Sequence, residues 1–329
     1  MTILVTGGAG FIGSHMVWAL IDAGHKVAVL DNLSTGFKWA VSPSATFYEG
    51  DIADATILSQ IHKEQDIKAI INFAGSVIVP ESVVEPLKYY SNNTCKTMKL
   101  IEFAVQNGIN KFIFSSTAAV YGTPKTDKKV TEDEPLSPES PYGTSKLMTE
   151  YMLRDCAAAY DFNYVALRYF NVAGADPMGR TGQSTKGATH LIKVVCETAT
   201  GKRDKIEVYG TDYPTPDGSC IRDYIHVWDL VNAHICALEY LNQNNGSLVA
   251  NCGYGTGYSV LEVIETVKKV YGKDFNVEFS PRRIGDAVKV VADNEKALTK
   301  LNWKPHLNDL EKIIRDALAW EKQLQKIQN

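Results

Sequence analysis

Three glycines at positions 7, 10 and 13, set between an apolar run and a helix-like stretch, constrain this chain more than any other feature. Ile3-Leu4-Val5 reads as a short strand, and Phe11 to Ala23 as a helix that stops before Gly24. The intervening Thr6-Gly7-Gly8-Ala9-Gly10-Phe11-Ile12-Gly13 gives glycine where a tight turn, backbone approach to a pyrophosphate and close helix packing require it. The helix start then offers free N–H groups and the positive end of its dipole to phosphate. The spacing is G-x-x-G-x-x-G rather than G-x-G-x-x-G, so the loop alone also fits a turn that binds nothing. Val27-Ala28-Val29-Leu30 follows as a second strand and ends at Asp31. A carboxylate there accepts hydrogen bonds from both adenosine ribose hydroxyls and repels a 2′-phosphate. With no lysine or arginine in Asn32-Leu33-Ser34-Thr35-Gly36, the cofactor reads as NAD rather than NADP.

Further strand-like runs lie at Ala69–Phe73, Phe112–Phe114 and Val165–Leu167, with helical stretches between them. Runs that are apolar throughout, alternating with helices, point to a parallel sheet covered on both faces. The expected fold is therefore α/β, a doubly wound Rossmann-type sheet over residues 1–175. After about residue 175 the pattern changes. Breaker-rich stretches run from Asp176 to Gly187 and from Gly210 to Gly218, and Ser259 with Glu262 forms a capping box ahead of Val263, Ile264, Val267 and Val270. Leu310, Ile313, Ile314, Ala317 and Leu324 make a second amphipathic stripe. This reads as a smaller, mixed α/β substrate domain over 176–329, with parts such as 222–253 returning to the first.

Composition narrows the function. The net charge of −4 leaves no electrostatic footprint for nucleic acid or an acidic membrane. No apolar run approaches the ~20 residues of a spanning helix. The N-terminus lacks a basic segment before an apolar one, so no secretory leader is expected. Six cysteines, at 95, 156, 196, 220, 236 and 252, are scattered without a C-x-x-C pair, which suits reduced thiols in the cytoplasm and no metal site. His15 and His226 read as buried packing positions.

Tyr142-Gly143-Thr144-Ser145-Lys146 puts a phenol and an ammonium on one helix face. An unperturbed tyrosine, with a pKa of ~10, is a poor base near neutrality. Lowering it by about three units takes ~4 kcal/mol, which a lysine cation and a positive nicotinamide ring can supply together. Such pairs also occur on ordinary helix surfaces, and the dinucleotide loop is what favours catalysis here. Ser115-Ser116-Thr117 ends a strand, where open α/β sheets place ligands, although strand-end turns also favour these residues.

These residues together resemble the extended short-chain dehydrogenase/reductases, and more narrowly their UDP-hexose 4-epimerase branch. The likeness runs from Val5–His15 to Leu301-Asn302-Trp303. Its most specific stretches are Arg168-Tyr169-Phe170-Asn171, Tyr209-Gly210-Thr211-Asp212-Tyr213 and Arg222-Asp223-Tyr224-Ile225-His226-Val227. The resemblance implies interconversion of UDP-galactose and UDP-glucose through a transient 4-keto sugar, with NAD held tightly and regenerated in each cycle. It makes Tyr142 the base at the sugar 4-hydroxyl, Lys146 the group that lowers the tyrosine pKa and holds the nicotinamide ribose, and Thr117 the hydroxyl on the 4-oxygen. The expected cofactor set is Gly7, Gly10, Phe11, Ile12, Gly13, Asp31, Asn32, Ser34, Thr35, Gly36, Asp51, Ile52, Phe73, Ala74, Gly75, Asn92, Tyr142, Lys146 and Phe170. The expected substrate set is Thr117, Tyr142, Asn171, His190, Leu191, Tyr209, Arg222, Arg283, Asp286 and Val290. A guanidinium forks onto phosphate oxygens, so Arg222 and Arg283 suit a pyrophosphate. An internal ion pair of Arg222 with Asp223 is the competing reading.

Three departures from the branch stand out. Ser76-Val77-Ile78 lacks a cofactor-holding lysine, His190-Leu191 replaces Asn-Leu, and Val290 stands beside the sugar 2-position, where a small residue admits an N-acetyl group. A 4,6-dehydratase needs an acid and a base after the strand-end threonine, and Ala118-Ala119 cannot transfer protons. A net reductase would exchange its NAD, and a non-catalytic NAD-binding module would not need Tyr142 and Lys146. The resemblance also implies a homodimer through helices near 94–107 and 142–160, with Leu100, Ile101, Phe103, Met148 and Met152 as candidate contacts that core packing could equally use.

Overall fold

Alternation along the first strands explains the layering. In β1 (Thr2–Thr6), Ile3 and Val5 belong to one buried cluster and Leu4 to another. The same division recurs in β4 (Ile67–Asn72), with Ala69 and Ile71 against Ile70, and in β5 (Lys111–Thr117), with Ile113 against Phe112 and Phe114. Successive side chains point to opposite faces, so a strand that is apolar throughout must be covered twice.

The computed structural model describes residues 1–283 and 285–328. Its main sheet adds β2 (Lys26–Asp31), β3 (Thr46–Glu49) and β6 (Asn163–Tyr169), with β7 (Asn171–Ala173) following just outside it. The second half contributes β8 (Ile206–Tyr209), β9 (Ile221–His226), β10 (Leu248–Cys252), β11 (Gly257–Ser259), β12 (Val277–Ser280) and β13 (Lys289–Val290). The seven-stranded sheet runs β10-β6-β5-β4-β1-β2-β3, and every pair in it is parallel. The chain thus leaves β1 in one direction through β2 and β3, then reverses through β4. That switch point is where open α/β sheets bind ligands.

Helices α1 (Phe11–Asp22), α2 (Ala55–Gln65), α3 (Val79–Val84), α4 (Pro86–Tyr89), α5 (Lys96–Gln106) and α6 (Pro141–Ala159) belong to the first half. Later come α7 (Leu191–Ala199), α8 (Val227–Asn242), α9 (Val260–Tyr271), α10 (Glu295–Lys300) and α11 (Leu310–Gln328). One face of the sheet is covered by side chains of α2, α5 and α6, and the other by α1 and α8. The second cluster continues without a break into Ile192, Val195, Val263, Ile264, Ile313 and Ile314, so one core spans both halves of the chain. β9 is the centre of a smaller sheet, flanked by β11, β13 and β7, and β8 pairs with β12. The Ser259–Glu262 capping box is formed, and it starts α9 where the sequence signals it. No described helix is long and apolar enough to cross a membrane.

Sequence patterning misplaces one surface. Leu100, Ile101 and Phe103 are at most 7% exposed and lie in the core, so they cannot serve as dimer contacts. Met152 packs on the same cluster. The solvent-facing apolar side chains of α5 and α6 are Met98, Met148 and Tyr151. An amphipathic helix whose opposite face already covers a sheet uses its periodic residues there.

Candidate active site

The glycine loop closes over the switch point. Gly7 has φ +69°, and a Cβ on it would lie 2.6 Å from the Ala74 nitrogen. A Cβ on Gly13 would lie 2.1 Å from the Gly7 carbonyl oxygen, so the first turn of α1 fits its loop only without a side chain there. Gly10 caps α1 with no side chain to accept from the first-turn N–H groups, which leaves those donors for a ligand. Asp31 is held at the end of β2 by the N–H of Ala9 (2.9 Å) and of Leu33 (2.8 Å). Each carboxylate oxygen keeps a lone pair for a ribose hydroxyl. Burial raises the Asp31 pKa, and those two N–H groups oppose the rise. A free helix start, a side-chain-free cradle and an oriented carboxylate fit a dinucleotide.

The rest of the expected cofactor residues surround this cradle. Asn32 turns its side chain to the Ser34 N–H, and Asp51 pairs with Lys96 at 2.5 Å. Thr35 lines a small cavity with Gly10, Phe11, Ser14 and Phe37, closed from the second half by Gly182 and Ser184. Ile52 is buried. The Phe73 ring lies 4.9 Å from the His234 ring. Asn92 donates to the Ser76 hydroxyl at 3.0 Å.

Local sequence fixes the catalytic helix. Ser140 caps α6 by accepting from the Gly143 N–H, and Pro141 occupies the first turn, where its missing N–H costs nothing. Tyr142 therefore lies in the first turn and Lys146 one turn later. Gly143 permits the approach to the neighbouring strand end, since a Cβ there would lie 2.6 Å from the Ala119 carbonyl oxygen. Thr117, the last residue of β5, accepts from the Ala119 N–H at 3.1 Å and lies close enough to Tyr142 for its hydroxyl to favour the phenolate. The strand-end turn and the contact to the phenol thus use one hydroxyl.

Lys146 is only 3% exposed, donates to the Ser115 carbonyl oxygen at 2.9 Å, and sits 5.0 Å from the centre of the Phe114 ring. Burial disfavours its charged form and lowers its pKa to about 8. Burial pushes the Tyr142 phenol up, partly opposed by the Thr117 hydroxyl. Lowering the phenol therefore calls for more positive charge than the protein supplies at Tyr142.

Sequence reasoning passed over the neighbours that hold this pair. Tyr89 lies edge-to-face with Tyr142, ring centres 6.4 Å apart, and its hydroxyl lies 2.7 Å from both the Ile78 carbonyl oxygen and the Glu81 carboxylate, one of which takes its proton. Asn93, in a π-helical turn over Tyr90–Cys95, links Ser76 to Ser145. The doubled Asn92-Asn93 was the available signal. Arg168, quoted only as part of a motif, is buried and forks onto Glu150 at 3.0 and 2.6 Å.

A second group gathers around β9. Arg283 lies 4.6 Å from the Tyr209 ring centre and pairs with Asp286 at 2.9 Å. The Arg222 guanidinium donates to the carbonyls of Ile221 and Ala287 and lies 3.8 Å from Asp286. The competing Arg222–Asp223 ion pair does not form. Neighbouring strand residues face opposite ways, and Asp223 instead accepts backbone N–H groups. Val290 is in register with Arg222 and packs, as Ala118 and Phe170 do, against the cluster of Val120, Tyr121, Val130 and Leu147. Asn171 opens β7 beside β9. His190 stands immediately before Leu191 and α7, and its polar partner is Gln183 at 2.9 Å rather than Arg222 or Asp286.

A parallel sheet with a dinucleotide cradle at its switch point, and a phenol and buried ammonium at the adjoining strand end, defines a Rossmann-type dinucleotide-dependent enzyme. The chain belongs to the NAD dependent epimerase/dehydratase family, whose model matches residues 3–253. It is 50% identical over 324 residues to a UDP-glucose 4-epimerase of Azospirillum brasilense, covering 98% of this chain and 93% of that one. The crystal structure of UDP-glucose 4-epimerase from Brucella ovis in complex with NAD superposes with a TM-score of 0.94 at 44% identity, covering 97% of each chain. The UDP-Glc/GlcNAc 4-epimerase from Campylobacter jejuni is 50% identical with a TM-score of 0.85, covering 98% of this chain and 99% of that one. NAD is the cofactor.

Proposed function

We propose that this enzyme is a UDP-glucose 4-epimerase, interconverting UDP-galactose and UDP-glucose. The observation that carries the reading is Tyr142 and Lys146 one turn apart on α6 with Thr117 at the end of β5, in a chain that also gathers Arg222, Arg283, Asp286 and Tyr209 into one group. When bound, NAD supplies a hydride acceptor and donor at sugar C4. Tyr142 takes the proton of the 4-hydroxyl and later returns it. Thr117 holds the 4-oxygen in line with the phenol. Lys146 stabilises the phenolate electrostatically, and the two arginines bind the pyrophosphate from the far side. Ala118 and Ala119 carry no proton at the strand end, so elimination of water has no acid–base pair there.

The test is proton NMR of the purified protein with UDP-galactose and no added NAD. Formation of a UDP-glucose/UDP-galactose mixture is expected, since a cofactor regenerated in each cycle stays bound. No change even after NAD is supplied would reject the assignment. A second reading is favoured by Val290, a side chain of intermediate size on the cluster of Val120, Tyr121, Val130 and Leu147 that also carries Ala118 and Phe170. A residue smaller than tyrosine there suits an N-acetyl group, and parallel conversion of UDP-N-acetylgalactosamine tests it. The exposed Met98, Met148 and Tyr151 on adjacent helices support a homodimer through α5 and α6. Met148→Glu should then sediment as a monomer. Six unpaired thiols suit a cytoplasmic setting.

A further inference from the structure

β13 is a strand of two residues, yet it carries Val290 and follows directly on Asp286 and Ala287. So short a strand makes few ladder bonds of its own. Backbone bonds hold its middle, from the Ile221 N–H to the Val288 carbonyl oxygen at 2.9 Å and from the Val130 N–H to the Val291 carbonyl oxygen at 2.8 Å, and side chains of β9 hold its ends. Arg222 grips the segment at one end, donating to the Ala287 carbonyl oxygen at 2.8 Å. Asp223 grips the other end, accepting from the Ala292 N–H at 3.1 Å. Consecutive residues of one strand therefore hold the two ends of residues 287–292 from opposite faces.

Asp223 is completely buried and does more than hold Ala292. Its Oδ1 accepts from the Tyr254 N–H at 2.9 Å, and its Oδ2 also accepts from the Gly255 N–H at 2.8 Å. Gly253 makes room for it, since a Cβ there would lie 2.6 Å from Oδ2. One carboxylate thus ties the turn after β10, in the main sheet, to the segment that carries Val290 and Asp286. A carboxylate is the only side chain of this size that accepts on both oxygens. A carboxamide must turn two hydrogens toward one of these N–H groups.

We propose that Asp223 is a positioning residue for substrate recognition, setting through Ala292 where Val290 and Asp286 stand against the UDP-sugar. The inference rests on the UDP-sugar reading above and adds to it a determinant of selectivity that makes no contact with substrate.

Asp223→Asn tests it, with UDP affinity by calorimetry and kinetics on UDP-galactose and UDP-N-acetylgalactosamine. The expected result is a rise of about tenfold in the UDP Kd and in KM, the scale of losing one charge-assisted acceptor, with kcat within about twofold of the parent. The ratio of kcat/KM for the two sugars should shift by about threefold or more as Val290 loosens. Retention of NAD by the variant reports that the main sheet is intact. Ala292→Pro removes the N–H at the far end of the tie while leaving Asp223 itself in place, at the cost of fixing φ there. It should reproduce the shift in selectivity and keeps the question open to test if the asparagine variant does not fold. Unchanged UDP affinity and an unchanged ratio in a folded variant would overturn the proposal, as would a loss confined to kcat. A parent enzyme that binds UDP but converts neither sugar would reject the epimerase reading, while the UDP comparison would still decide the role of Asp223.

Discussion

At the scale of single residues, the chemistry rests on a phenol that its own surroundings make a weaker acid. Burial raises the Tyr142 pKa, and only the Thr117 hydroxyl opposes it within the protein. Tyr142→Phe removes the proton carrier and leaves the glycine cradle untouched. Conversion of UDP-galactose should fall by about 10²–10⁴-fold while NAD co-purifies as before, read by NMR and by cofactor release. Lys146 gives a pH signature. Its pKa is lowered by burial to about 8, so its charge is complete below that pH and lost above it. The kcat/KM profile should therefore carry an alkaline limb near pH 8. Lys146→Arg stays cationic throughout, and the limb should vanish even though the larger side chain slows turnover. A limb that survives this change would mean that another group titrates.

At the scale of elements, the strand–loop–helix unit around Gly7 was legible because its signals are local, whereas the spacing of Tyr142 and Lys146 gave a helix without its cap. Ser140, Pro141 and Gly143 state where the helix begins and how closely it approaches Ala119. Gly143→Ala forces that contact apart, since the opposing atom is backbone. A displacement of the first turn moves Tyr142 from Thr117, and kcat should fall by ~10²-fold with a smaller effect on UDP binding. An unchanged kcat would show that the helix start tolerates the shift. Other elements could not be read locally. β13 is too short to carry a pattern, and its position comes from Asp223, Arg222 and the backbone of Ile221 and Val130, all far away in the chain. The fork of Arg168 onto Glu150 pairs a strand with a helix and leaves no trace in spacing. Leu100, Ile101 and Phe103 showed the right period, but periodicity does not say which neighbour an apolar face meets.

At the scale of the whole molecule, the single core running from β1 to α11 makes acid stability a property of both halves together. His15, one turn into α1, and His234, on α8 against Tyr169, are fully buried, and burial lowers both pKa values to about 4. The folded state keeps them neutral down to that pH, whereas the unfolded chain takes up protons from about 6.5. Each therefore contributes stability that is present above pH 6.5 and lost as the pH falls toward 4. Asp223 works in the opposite sense. Burial raises it to about 6, so between pH 7 and 5 the folded state gains a proton that the unfolded chain does not. Asp31, also raised by burial, adds to that offset. From pH 7 to 5 the two histidines together lose about 4 kcal/mol and Asp223 returns about 1, so unfolding should become easier by about 2–3 kcal/mol. Urea titrations at the two pH values measure the difference directly, and His234→Gln should remove about half of the histidine contribution. A midpoint that does not move, or that rises in acid, would mean that the buried carboxylates outweigh the imidazoles and that the core is held by proton uptake rather than threatened by it.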